Sequence, residues 1–143
     1  MPYPSLLVQP FRDELTRAGF QELLSAAEVD SFMADKSGTA LLVINSVCGC
    51  AAGKARPGVR QAIAESPRPD RLATVLAGQD MESTAKLRAW FPEVPSSSPS
   101  VALVKDGKLV YFMPRANIES RDATAIAADL KAAFAEHCVP VTA

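Results

Sequence analysis

The sequence predicts an α/β fold with a central mixed sheet of four to five strands, helices on both faces, and an N-terminal helical extension. Three observations predict it. Ala40-Leu41-Leu42-Val43-Ile44 is an unbroken apolar run of strand length, as expected for a strand buried on both faces, and residues at helical spacing follow it. Leu72 to Ala77 repeats the pattern and is also followed by a helix-like segment. Finally, Lys105-Asp106-Gly107-Lys108 separates two strand-like runs, Val101–Val104 and Leu109–Met113. Asp-Gly there is a strong hairpin signal, because both central residues of a type I′ turn need positive φ. Alternating strands and helices imply parallel crossovers, and the hairpin adds an antiparallel edge.

Along the chain, Pro10 suits the first turn of a short helix in which Phe11 and Leu15 share a face and Gly19 is the stop. Phe20 to Leu24 reads as a short edge strand. Ser25-Ala26-Ala27-Glu28 has the form of a capping box. Val29, Phe32 and Met33 then make an apolar stripe, Lys36 falls in the last turn, and Gly38 ends the helix before the central strand. The helix after Cys50 carries Pro57 and Gly58, so a kink or break is expected near Gly53–Pro57. Ser66-Pro67-Arg68-Pro69-Asp70 is a stiff turn before the second buried strand. Asp80 can cap a helix bearing Leu87, Trp90 and Phe91, which Pro92 ends. Val94 to Pro99 is a loop. Ser120 can cap a last helix in which Ile126, Leu130 and Phe134 recur every four residues. The chain, 1–143, reads as a single domain, with 1–24 as the extension packed on it.

Composition excludes several functions. A net charge of −1 gives no basic footprint for nucleic acid and no polybasic signal for membranes. The N-terminus lacks both a cationic and an apolar leader segment, so the expected compartment is the cytoplasm. Three cysteines, an odd number, do not make a secreted disulfide framework. In a reducing compartment a close pair reads as catalytic or metal-binding.

Two of those cysteines, Cys48 and Cys50, stand where the buried strand hands over to a helix. Free backbone N–H groups and the positive end of a helix dipole favour a thiolate there, and the thiolate is the reactive form. Thiol–disulfide exchange needs an accessible nucleophile and a second sulfur nearby. Gly49 removes the Cβ that would hinder bending between them. A bridge across one residue departs from preferred disulfide geometry and would be easy to reduce. Two other readings stand beside this one. The pair could be small buried apolar residues, or two thiolates holding copper or zinc. Zinc wants four ligands, and only His137 and Cys138 remain, at the far end of the last helix, so no metal site is expected. Neither His137 nor Cys138 is assigned a role in catalysis. Asn45 and Ser46 either hydrogen-bond the loop carrying Cys48 or simply end the strand.

With these residues in hand, the sequence resembles the bacilliredoxin family, thioredoxin-like proteins earlier described as disulfide isomerases. The resemblance rests on Val8-Gln9-Pro10-Phe11-Arg12-Asp13-Glu14-Leu15 with Ala18-Gly19-Phe20, and on Val43-Ile44-Asn45-Ser46-Val47-Cys48-Gly49-Cys50-Ala51-Ala52-Gly53 with Ala55-Arg56-Pro57. Ser98-Pro99-Ser100 and the Lys105-Asp106-Gly107 hairpin also fit. The resemblance implies a thioredoxin-like fold and reduction of mixed disulfides between cytosolic proteins and bacillithiol or a similar low-molecular-weight thiol, with no bound cofactor. Cys48 would attack and take up the small thiol, and Cys50 would resolve the adduct or affect the recycling step. Thioredoxins carry two residues between their cysteines; this chain has one. The resemblance also implies a cis bond before Pro99, with Ser98 presenting backbone groups to a substrate chain; on its own, Pro99 merely starts a strand. Bacillithiol carries carboxylates, so Lys54 or Arg56 could orient it, against the plainer reading of a solvated helix face. A protein disulfide isomerase or reductase using the same cysteines, and a non-catalytic thiolate metal-binding or redox-sensing module, are the competing functions.

Overall fold

A computed structural model describes residues 3–138, so Met1 and Pro2 of the expected leader-free N-terminus lie outside the described residues. Five strands form one sheet in the order β1-β3-β2-β4-β5. They are β1 (Gln21–Glu22), β2 (Thr39–Asn45), β3 (Arg71–Leu76), β4 (Ser100–Lys105) and β5 (Lys108–Met113). β1, β3 and β2 are parallel, while β4 pairs antiparallel with both β2 and β5. Every residue of β2 is buried, as its unbroken apolar run predicts. Leu41 and Val43 point into one core with Val101 and Leu103, while Leu42 and Ile44 point into the other with Ala102 and Val104.

Helices cover both faces. α3 (Arg56–Ile63) and α6 (Ala123–His137) bury Val59, Ile126, Leu130 and Phe134 on one side. α2 (Ala26–Ala34) and α4 (Met81–Ala89) bury Val29, Phe32, Met33 and Leu87 on the other. α1 (Ser5–Thr16) precedes the sheet, and α5 (Arg115–Glu119) joins β5 to α6. Phe91 is buried, and Trp90 sits at the rim with its indole N–H donating to Asp30 at 3.1 Å.

Most local signals act as expected. Ser25 Oγ accepts the Glu28 N–H at 3.1 Å, and Asp106 and Gly107 take φ of 52° and 81° in the hairpin. Four expectations give way to competitors. α1 begins five residues before Pro10 and carries it inside; the turn preceding it is exposed at Leu6 and Leu7, where water can reach the carbonyl left unpaired. Lys36 lies beyond α2, which ends at Ala34. Asp80 stands at the N-cap of α4 but caps nothing with its side chain, because Arg12 grips both carboxylate oxygens at 2.7 and 2.8 Å. Asp122, not Ser120, caps α6, accepting the Ala125 N–H at 2.8 Å; Ser120 closes α5 by donating to Ala116 O.

The irregularity expected around Gly53–Pro57 is a π-helical turn, Ala51–Ala55, leading into α3. The Arg56 N–H reaches back five residues to Ala51 O. Pro57, next in line, has no N–H to continue a regular ladder. The extra residue in the turn rotates the remainder of the helix by about 100°. Ala52 is therefore exposed while Arg56, four residues on, is fully buried.

Candidate functional site

Register brings three loops to one end of the sheet. Asn45 pairs with Leu76 and Ile44 with Ser100. The Cys48 loop, the turn after β3 and the Ser98-Pro99 segment therefore all leave the sheet at the same edge. The Ser98–Pro99 bond is cis, Pro99 is buried and Ser98 is half-buried.

Cys48 and Cys50 are both free thiols and both half-buried, with Gly49 exposed between them. A chain of hydrogen bonds holds the Cys48 loop. The Cys48 N–H donates to Ser46 Oγ at 3.1 Å, and the Ser46 N–H donates to Asn45 Oδ1 at 2.8 Å. Asn45 Nδ2 donates to Phe11 O at 3.1 Å, which ties α1 to the loop. The Cys48 carbonyl accepts from Ala51 and Ala52 and so starts the helix. Burial pushes the Cys48 thiol up. Hydrogen bonds from the Ser46 hydroxyl and from the Ala51 and Cys50 N–H groups, together with the Arg115 charge, outweigh it and leave the thiol below its ordinary range.

Three sequence-predicted residues take positions other than a substrate surface. Arg56, expected as an exposed cation, is wholly buried. Its Nη1 donates to Asn45 Oδ1 at 2.9 Å and to Ser46 O at 2.8 Å. Its guanidinium lies 5.0 Å from the Phe11 ring centroid. Glu14 Oε2 is 3.2 Å from Nε, close enough for an ion pair but off the line of a hydrogen bond. The phase slip of the π turn turns Arg56 inward, and from there no substrate carboxylate can reach it. Asn45 and Ser46 are buried as well, so they brace the sulfur loop rather than offer side chains to a ligand. Lys54 is half-buried and donates to Glu119 O.

A charged residue that sequence reasoning passed over, Arg115, meets the sulfurs. Arg115 Nη2 lies 3.9 Å from Cys50 Sγ, and Nη1 donates to Ser98 O at 3.2 Å. No local pattern could reveal this, since the contact spans 65 residues. Cys138 is remote from this edge: it is buried at the end of α6, where burial pushes its thiol up and the Thr39 hydroxyl bonds it. His137 is half-buried, 3.6 Å from Glu136. Among the described residues no three His, Cys, Asp or Glu side chains are grouped to hold a metal ion, and no helix is long and apolar enough to cross a membrane. A concavity of about 660 Å³ opens at the other end of the strands between Gly19, Asp70 and Arg71. Neither Cys48 nor Cys50 lines it.

The family model described as "Disulphide isomerase" matches residues 3–138. A bacilliredoxin of Bacillus licheniformis is 51% identical over 137 residues, covering 95% of each chain. One of Shouchella clausii is 50% identical, covering 95% of this chain and 94% of its own. In three dimensions the chain is similar to the thioredoxin of Fasciola hepatica, at 22% identity and a TM-score of 0.58, over 82% of this chain and 99% of that one. The sheet order and flanking helices are those of the thioredoxin fold.

Proposed function

This chain belongs to the bacilliredoxin family, and from that premise we propose that it is a thiol–disulfide oxidoreductase that strips a bacillithiol-like thiol from cytosolic proteins. The observation carrying this reading is the Cys48 sulfur. It is half-exposed, held with its thiol below the ordinary range, and followed two residues later by a second free thiol. A thiolate attacks a mixed disulfide, and a neighbouring thiol relieves the adduct. Cys48 is therefore assigned the attack and Cys50 the resolution. Ser98 and Pro99, at the same edge, are assigned the substrate chain. The buried Asn45, Ser46 and Arg56 form the support beneath. No resident cofactor enters this scheme; the small thiol is a co-substrate.

Incubating the reduced protein with a bacillithiolated target and following the adduct by mass spectrometry tests it. Wild type releases the target, Cys48→Ser does not, and Cys50→Ser accumulates the small thiol on Cys48. A wild type that leaves the target modified removes the assignment. The description of the family model favours a second reading, isomerisation of protein disulfides by the same cysteines. Rates on a scrambled protein disulfide and on a low-molecular-weight mixed disulfide, compared side by side, separate the two.

A further inference from the structure

The cation that faces the motif sulfurs is Arg115, at the start of α5, and it is held at both its main chain and its side chain. Its N–H donates to Ser97 Oγ at 3.2 Å and its Nη1 to Ser98 O at 3.2 Å, both in the loop before β4. Glu119, one turn along, takes Nε at 3.1 Å. That division of labour leaves Nη2 for Cys50 Sγ, 3.9 Å away. Glu119 orients the fork by its inner nitrogen and does not cover the outer face that meets the sulfur. After the hydrogen bonds, the Arg115 charge also lowers the Cys48 thiol, and Glu119 first, then both sulfurs, favour the protonated guanidinium.

We propose that Arg115 is the counter-ion of the Cys48–Cys50 pair, bonding the Cys50 sulfur and stabilising the anion Cys50 carries when it resolves an adduct on Cys48. This rests on the function proposed above. In the first step the Cys48 thiolate attacks the mixed disulfide R–S–S–protein; the Cys48–S–R bond forms and the protein sulfur leaves as a thiolate. In the second, the Cys50 thiolate attacks Cys48 Sγ, the bond to R–S breaks, and R–S⁻ departs. The two protein thiols are oxidised to a disulfide, and the two electrons have reduced the mixed disulfide to a protein thiol and a free small thiol. Arg115 transfers no proton in either step. It keeps a positive charge beside whichever sulfur is anionic, in a charge-assisted arrangement worth more than a wandering surface pair because both its ends are tied. Its hold on Ser98 O also means that a substrate strand reaching that carbonyl meets the guanidinium, so substrate docking and sulfur charge share one residue.

The decisive measurement needs no substrate. In a Cys48→Ser background, alkylation of Cys50 by iodoacetamide is followed across pH with arginine, glutamine or lysine at position 115. Arg115→Gln slows the reaction at pH 7 by about two- to fivefold, the effect of one partly exposed charge contact. It does not slow the reaction at high pH, where the sulfur is fully thiolate, and 1 M salt narrows the gap at pH 7. Arg115→Lys restores part of the rate, which a merely structural role would not explain. In the intact pair, Arg115→Gln accumulates the Cys48 adduct during turnover of a bacillithiolated target. A Cys50 alkylation profile indifferent to residue 115 overturns the inference, whether or not the enzyme turns over. Failure of the wild type to accept the target overturns the functional reading instead, and the alkylation result still decides Arg115.

Discussion

Replacing Arg56 by methionine removes the charge beneath the Cys48 loop while keeping most of the side-chain length. Two hydrogen bonds from Nη1 disappear, to Asn45 Oδ1 at 2.9 Å and Ser46 O at 2.8 Å. A hydrogen bond from a charged donor contributes about 1.5–3 kcal/mol, but one nitrogen serves both acceptors here, so the pair counts for less than two. Asn45 Oδ1 keeps its bond from the Ser46 N–H, whereas the Ser46 carbonyl is left without this donor, at a cost of about 1–3 kcal/mol. Opposing these losses, methionine removes a buried charge whose Nη2 has no partner among the described residues. An apolar group of similar size at such a site is often tolerated. The contact with Phe11 nearly cancels, because about 0.5–2 kcal/mol of cation–π attraction gives way to about 0.3–1.5 kcal/mol of sulfur–aromatic contact. Glu14 is one-third exposed and relaxes into water. The balance is a destabilisation of about 2 kcal/mol, read as a lower urea midpoint at unchanged slope for the reduced protein. The Cys48 alkylation profile should move to higher pH at the same time, because the Ser46 hydroxyl that bonds the sulfur loses its brace. Full wild-type stability together with an unmoved Cys48 profile would refute the argument that Arg56 supports the sulfur loop.

Two further outcomes rest on packing and on proton linkage. A Cβ on Gly58 would lie 2.7 Å from Ile126 Cγ2 and 3.1 Å from the Ala123 carbonyl, so Gly58→Ala must part α3 from α6; about 1–3 kcal/mol of overpacking exceeds the ~1 kcal/mol gained in helix propensity, and thermal unfolding should come several degrees earlier. For pH, the Cys48 thiol is lowered in the folded state, so the folded chain binds fewer protons there than the unfolded one. The stability this adds is complete above the unfolded thiol value of about 8.5 and is lost as pH falls through the folded value. Urea unfolding of the reduced protein against Cys48→Ser should therefore show a gap that widens as pH rises through that window, and a pH-independent gap would contradict the assigned direction.

What the sequence disclosed depended on how local each cause was. A strand buried on both faces must be apolar throughout, so Ala40–Ile44 announces β2 and therefore the edge at which Cys48 emerges. Asp106-Gly107 announces its hairpin because few residues accept positive φ. Caps are less secure wherever a second partner competes. Ser120 and Asp122 are both able to cap and lie two residues apart, and the carboxylate of Asp80 is claimed by Arg12 from 68 residues away. Arg56 escapes a local reading for a subtler reason: a regular helix would carry it round with the exposed Ala52, and one extra residue in the π turn places it inside.

The two arginines around the motif make opposite use of the same group. Arg56 is buried behind the loop, and its contacts with Asn45, Ser46, Phe11 and Glu14 hold backbone and ring in place, so its effect on sulfur passes through geometry. Arg115 stands at the front, anchored by Ser97, Ser98 and Glu119, with one nitrogen left for Cys50. Salt distinguishes these modes, because screening acts on the partly exposed charge and hardly on the buried one. Raising ionic strength should therefore weaken what Arg115 does for the sulfurs while leaving the Arg56 network intact. A site built this way keeps the shape of its cysteine loop constant while the charge balance at its mouth responds to whatever docks there.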